Sequence, residues 1–373
     1  MSAESLPQPR PHYHQFSHSL LALAILTTAL YLGQDILVPL AMSGLIAVLL
    51  RPVEDRLIRL GMPKVIAISL ALLLSLIIVG GLTVLISTQL SDFADDLPKI
   101  RQNLGEFFNK IRAWVKKEYN ISYGQQEQYI QKARTQTLDS LQNPSTLGII
   151  TGPLGTITLV PIYIFLLLYY RTMLLHFVIV LFAEKHTERV REVLGEVKAV
   201  IQSYMIGLLI ETACVAALNS VGLMILGVQY AILLGVMAAI LNLIPYIGGL
   251  VATALTVLVT FSNNPDTSII LGVVGVFLFV QFIDNNVLVP LIVASKVKIN
   301  ALVSIVGVLI GGALAGVSGM FLSIPAIAIM KVIFDRVESL RPWGVLLGDE
   351  TPEQEGNHLF RLKRRRKPKV VEG

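Results

Sequence analysis

Residues 230–261 read YAILLGVMAAILNLIPYIGGLVATALTVLVTF, thirty-two residues without a single charge. An unbroken helix of that length would reach roughly 50 Å at a rise of about 1.5 Å per residue. The hydrocarbon core of a bilayer is only about 30 Å thick. The middle of the stretch, Asn242-Leu243-Ile244-Pro245-Tyr246-Ile247-Gly248-Gly249, holds residue types that interrupt a helix. Residues 300–334 repeat the pattern, with a glycine-rich middle at Gly311, Gly312, Gly316 and Gly319. Between the two lies a span over 267–293 that carries Asp284, Asn285 and Asn286. Each long segment therefore either crosses the membrane strongly tilted or folds back as a re-entrant hairpin.

The composition around these stretches agrees with a membrane setting. The chain of 373 residues is 54 % hydrophobic and 15 % charged. A soluble domain carries about 25 % charged residues, so most of this surface faces something other than water. The apolar residues fall in runs of helix length, and the short alternating segments of a β-barrel are absent. The expected fold class is all-α, a polytopic transmembrane protein of six to eight spans with two long broken C-terminal segments.

Residues 1–17 read as a polar cytoplasmic tail and 18–88 as the N-terminal transmembrane helices. These comprise two short apolar segments, 18–33 and 36–50, a cation-rich loop from Arg51 to Lys64, and a long span over 65–88. Residues 89–145 form an extracytoplasmic helical segment. Leu90, Phe93, Leu97, Ile100, Leu104, Phe107, Ile111 and Trp114 make a stripe of helical period along it, interrupted by Pro98. Such a stripe packs on its own protomer, on an oligomer partner or on the bilayer surface, and periodicity does not separate these. The transport core is expected over 146–335. It includes spans at 147–170 and 202–226, an amphipathic cytoplasmic helix over 184–200, and the two broken segments.

Charge sets the expected orientation. The tail over 336–373 contains Arg361, Lys363, Arg364, Arg365, Arg366, Lys367 and Lys369. Beside membrane spans this run marks a cytoplasmic end facing anionic lipid rather than a nucleic-acid site. The cations of 51–64 and 171–200 point the same way, which places both termini in the cytoplasm of an inner-membrane protein. If both long segments fold back, Lys296 and Lys298 also lie inside, so charge favours the hairpins. The hairpins then enter from opposite faces, as in inverted-repeat transporters. Cys214 is the single cysteine and excludes an intramolecular disulfide. The first apolar run lacks the small-residue site of a cleavable signal peptide.

Breaks inside apolar segments leave backbone groups unpaired, and in lipid such breaks line a cavity. Asn242, Pro245, Tyr246, Gly248 and Gly249 are the candidates for a substrate pathway, joined by Gly311, Gly312, Gly316 and Gly319. For those four glycines, close helix packing is an equal explanation. Glu211 and Asp284 are carboxylates within apolar spans, a placement that costs at least about 2.5–3.5 kcal/mol unless a proton, cation or basic group compensates. With Gln281, Asn285 and Asn286 beside it, Asp284 offers hard oxygen ligands for a small cation or a carboxyl that binds a proton. No P-loop, HExxH or GxSxG pattern occurs, so no catalytic residue and no cofactor is expected beyond a bound proton or sodium ion.

Three motifs together carry a family resemblance. They are Ile244-Pro245-Tyr246-Ile247-Gly248-Gly249, the run from Gln281 through Asp284-Asn285-Asn286 to Pro290, and Gly311-Gly312-Ala313-Leu314-Ala315-Gly316-Val317-Ser318-Gly319-Met320 followed by Pro325. The chain resembles the autoinducer-2 exporter family over nearly its whole length. The resemblance implies export of a small signalling molecule in some members, sodium(lithium)/proton antiport in others, and homo-oligomeric assembly. Two positions depart from the family pattern: Tyr204-Met205-Ile206-Gly207 lacks an expected arginine, and Asn300-Ala301 stands where a His-Pro pair is common. The expected function is ion-coupled export of a small organic molecule. A cation/proton antiporter and a non-transporting membrane scaffold are the alternatives.

Overall fold

The computed structural model describes residues 12–119, 148–182, 186–244, 248–264, 266–294 and 299–349. Among the described residues every regular element is a helix. They are α1 (His12–Leu32), α2 (Gln34–Arg59), α3 (Lys64–Tyr119), α4 (Gly148–Tyr169), α5 (Arg171–Val180), α6 (Thr187–Ile225), α7 (Ala231–Asn242), α8 (Gly248–Asn263), α9 (Thr267–Ile283), a π-helix (Asp284–Ala294), α10 (Ala301–Arg336) and α11 (Arg341–Leu347). Five are long and apolar enough to cross a membrane, and the pair 158–169 and 171–180, bent by 64° at Tyr170, supplies a sixth if counted as one span. Large apolar side chains such as Ile77, Val79, Leu278 and Phe282 point outward along these helices. A water-soluble monomer rarely exposes such contiguous apolar surface, whereas lipid requires it.

Two expectations about local structure change. Residues 51–59 are not a loop but the last turns of α2, which tolerates Pro39 and Pro52 and ends at Leu60 before Gly61 at φ +89°. The turn needs that left-handed conformation, which glycine adopts without strain. Likewise 184–200 is not a separate amphipathic helix: α6 runs unbroken from Thr187 into the apolar span, since no proline or positive-φ residue intervenes before Gly227.

The continuation of α2 places Glu54 at 0 % exposure, with Arg171 Nη1 3.6 Å from its carboxylate and 3.7 Å from that of Asp55. Arg51 closes the cluster on Asp55 at 3.6 Å. Removing one member of such a buried pair leaves an uncompensated charge and costs on the order of 3–5 kcal/mol. The cluster therefore pins α2 to the start of α5. Higher in the same bundle, Ala47, Leu50, Ile68, Ile164 and Leu168 form the core shared by α2, α3 and α4.

Both long C-terminal segments fold back. In the first, α7 and α8 share a core that includes Ala231, Leu234, Ala238, Ala252 and Val259; Gly248 lies against Leu241 where the two meet, and their outer ends, Tyr230 and Ser262, both bond to α3, so they run antiparallel. Phe277 and Val273 of α9 and Leu223 of α6 complete that core. In the second, α10 is a hairpin rather than a rod. Ala315 (φ −144°, ψ 27°) and Gly316 (φ 58°, ψ −142°) leave the helical region and reverse the chain. A Cβ on Gly311 would collide with the Gly319 carbonyl, and one on Gly319 with the Gly311 carbonyl. Ser323 Oγ donates across the arms to the carbonyl oxygen of Gly307 at 2.9 Å. Residues sixteen apart in one straight helix would be about 24 Å apart. The arms are 301–314 and 317–336, so α10 is not one straight 36-residue rod.

α3 is 56 residues long, roughly 80 Å at about 1.5 Å per residue, and continues through Pro98. Its far part packs on the open end of the first hairpin. Phe93 meets Tyr230 edge to face at 5.6 Å, Tyr230 Oη donates to Asp96 at 2.6 Å, and Ser262 Oγ donates to the Ile100 carbonyl at 3.0 Å. At Phe93 and buried Ile100 the helical stripe thus packs on its own protomer. Side chains further along it, including Phe107 and Trp114, lie outside the described residues.

Candidate functional site

Three elements converge where the first hairpin turns. Asn242 ends α7, Gly248 and Gly249 begin α8, and Asp284 begins the π-helix after α9. A π-helical stretch widens the backbone ladder and is common at functional sites. Here it opens at the one carboxylate of the segment. Asn242 Nδ2 donates to Asp284 Oδ2 at 3.0 Å and Gln281 Nε2 to the same oxygen at 3.5 Å, while Gln281 also donates to Asn285 Oδ1 at 3.2 Å. The glycines make this approach feasible. A Cβ on Gly249 would stand 2.7 Å from Gln281 Oε1, and one on Gly248 would run into the Leu241 carbonyl.

Glu211 of α6 faces the Asp284 carboxyl group closely enough to hydrogen-bond with it. Glu211 is 9 % exposed and Asp284 3 %. Neither makes an ion pair among the described residues. Two adjoining carboxyl groups without a basic partner can hold one proton or one cation between them, and charge balance in an apolar setting demands something of that kind. Among the described residues no cluster of three or more His, Cys, Asp and Glu side chains is set to hold a metal. The oxygens present are carboxylate and amide, which suit a hard ion.

Beside the carboxylates lies a cavity of about 660 Å³, lined among others by Tyr204, Leu208, Glu211, Asn242, Gln281 and Asp284. That volume is within the range of small-molecule sites, roughly 300–1,000 Å³. A second, small void of about 10 Å³ shares Asn242, Gly249, Phe277, Gln281 and Asp284 with that cavity and adds Asn219 and Val215 of α6 to its wall.

Of the residues singled out from sequence, Asn242, Gly248, Gly249, Gln281, Asp284, Asn285 and Glu211 come together. Asn286 is exposed and donates to the Phe282 carbonyl at 2.8 Å, away from the others. Pro245 and Tyr246 lie outside the described residues. Gly311 and Gly319 stand between the arms of the second hairpin, and Gly312 packs on Met320. Gly316 forms the turn, whose neighbours Ala315 and Ser318 line a separate cavity of about 420 Å³ with Gln34, Asp35 and Met42. Only Ile324 of the second hairpin reaches the wall of the larger cavity. The polar wall residues that had not been singled out as site candidates are Tyr204 and Thr253 of the larger cavity and Asn219 of the small void. Asn219 follows Glu211 by eight residues, on the same helix face, and that spacing is the signal that would have found it.

The chain is similar to proteins with transport names. "Putative transport protein YueF" of Bacillus subtilis (strain 168) is 27 % identical over 314 residues, 79 % of this chain and 82 % of that protein. "Putative transport protein YhhT" of Escherichia coli (strain K12) is 22 % identical over 348 residues, 93 % of this chain and 98 % of its own length. "AI-2 transport protein TqsA" of the same strain is 25 % identical over 337 residues, 89 % of this chain and 94 % of that protein. The family model described as AI-2E family transporter matches residues 20–339. With a match of that length over an all-helical membrane fold, the chain belongs to the AI-2E family of transporters.

Proposed function

We propose that this transporter is a secondary, ion-coupled exporter of a small organic molecule such as autoinducer-2, working in the inner membrane with both termini in the cytoplasm. The observation that carries the reading is the 660 Å³ cavity walled by two acidic side chains with no basic partner, at the tip of a helix hairpin. A solute in that cavity and an ion on Glu211 and Asp284 would share Asn242 and Gln281. Binding of either then changes the field and the hydrogen bonds felt by the other, which is what coupling requires. In the orientation set by the basic segments, the first hairpin opens outward and the second inward, and the first brings its tip to the cavity while the second contributes Ile324 from one arm. The AI-2 name of one relative supplies the candidate solute.

The test is uptake into proteoliposomes. Labelled autoinducer-2 should move with an imposed proton or sodium gradient, and Asp284→Asn and Glu211→Gln should each remove the gradient dependence while the purified protein elutes as before. Solute movement indifferent to every imposed gradient would overturn ion coupling. The acidic pair also suits a cation/proton antiporter, in which the ion is itself the substrate. Cation-evoked proton flux without any organic solute, lost in Asp284→Asn, would establish that reading instead.

A further inference from the structure

Asp284 divides its two oxygens between different neighbours. Oδ2 receives the amides of Asn242 and Gln281, whereas Oδ1 is buried with no N–H donor, the Glu211 carboxyl being the other group within hydrogen-bonding reach of Asp284. Asn219 is 3 % exposed, and its Oδ1 is buried without a partner. Both residues line the same small void, about 10 Å³, which is room for one water-sized particle. The rest of its wall is largely apolar, from Val215, Ala238, Ala252, Phe277 and Val280. Buried acceptors left without a partner are strongly disfavoured, the charged one most of all.

We infer that this void is a binding site for one dehydrated small monovalent cation, held between Asp284 and Asn219. The inference rests on the reading of Asp284 as an ion-binding carboxylate, and it adds the position of the ion and a ligand from α6. A cation satisfies both orphan oxygens at once and cancels the carboxylate charge, whereas a water satisfies the oxygens and leaves the charge. The amide donors of Asn242 and Gln281 are already turned onto Asp284 Oδ2 or Asn285, so a protonated Glu211 carboxyl is the side-chain donor that competes with the ion for Asp284. A single carboxylate with amide oxygens matches a monovalent ion, since calcium draws about 6–8 oxygen ligands. The ion lies behind Asn242 and Gly249, at the inner end of the larger cavity, because both spaces share Asn242, Gly249, Gln281 and Asp284.

The experiment is equilibrium binding of ²²Na⁺ to the purified full-length protein in nanodiscs, with Li⁺ and K⁺ as competitors. Wild type should bind sodium saturably. Asn219→Ala should lower the affinity by at least about tenfold, as expected for loss of one oxygen ligand to a charge. Asn219→Asp, which keeps an oxygen at the same position, should retain binding, and it carries the test if the alanine variant does not fold. Wild-type affinity in folded Asn219→Ala would overturn the inference, and so would no sodium binding by wild type, which leaves a water-filled void only. The two readings fail separately. Transport driven by protons without sodium binding keeps ion coupling and removes this site. Sodium binding lost in Asn219→Ala, with no gradient-driven flux, keeps the site and removes ion coupling.

Discussion

In the first hairpin α7 and α8 close on Asn242 and Gly249, beside Gln281 and Asp284; in the second, the arms of α10 close on Gly311 against Gly319. Both reverse an apolar segment too long to cross once. In the first, the Asn242 side chain at the end of α7 donates to Asp284 at the start of the π-helix. The second has backbone against backbone, so little remains for a ligand between the arms. Chain reversal in an apolar segment thus does not by itself make a site. What matters is whether the turn is left with polar groups that other elements must satisfy.

The comparison breaks most easily at Gly319. Gly319→Val places a branched side chain against the Gly311 carbonyl, and the hairpin cannot close. We expect no monodisperse protein on size exclusion, whereas a second hairpin that tolerates valine there would remove the distinction drawn above. At the first hairpin the expected loss is of function instead. Asn242→Ala deletes a hydrogen bond to a carboxylate, about 1.5–3 kcal/mol for a charged partner. Gradient-driven transport should fall between about tenfold and a hundredfold with elution unchanged. Normal transport in that variant would mean the polar turn is structural after all.

Two smaller changes sharpen the picture. Gly316→Ala forces a side chain into φ 58°, ψ −142°, at a cost of roughly 1–3 kcal/mol. It should appear as a lower melting temperature in a thermal-shift assay. Ser323→Ala removes the donor shared by the Gly307 and Gly319 carbonyls, at 2.9 and 2.7 Å. About 0.5–1.5 kcal/mol should follow, the smallest drop of the set. A larger drop for Ser323→Ala than for Gly316→Ala would show that a hydrogen bond, not the glycine turn, holds the arms together.

The hairpins were legible in the sequence because segment length can be set against bilayer thickness, and because asparagine, proline and glycine mark where an apolar helix must stop. Asn242, Asp284 and Glu211 were singled out for a related reason, the cost of polar side chains within apolar spans, and the structure brings the three together. What sequence adjacency could not supply was direction. Asn285 and Asn286 follow Asp284, yet consecutive helical residues point roughly 100° apart. Asn285 remains at the cavity while Asn286 turns back to Phe282. Asn219 was not singled out, and its place beside Asp284 in the wall of the small void is what gives it a meaning. Glu54 lay in a stretch rich in charge, which suggested a solvated loop. The continuation of α2 instead brought it to full burial beside Arg171.

The long helix α3 grips the first hairpin only at its open end, through Asp96 with Tyr230 and through Ile100 and Asn103 with Ser262, the last at 2.5 Å. Along the rest of its length the same hairpin lies on α6 and α9 through apolar side chains, among them Leu223, Val273 and Phe277. Its fastening is thus of two kinds. Hydrogen bonds are directional and fix the register of the outer end, whereas apolar contact is not, so sliding against α6 and α9 is the displacement that this packing resists least.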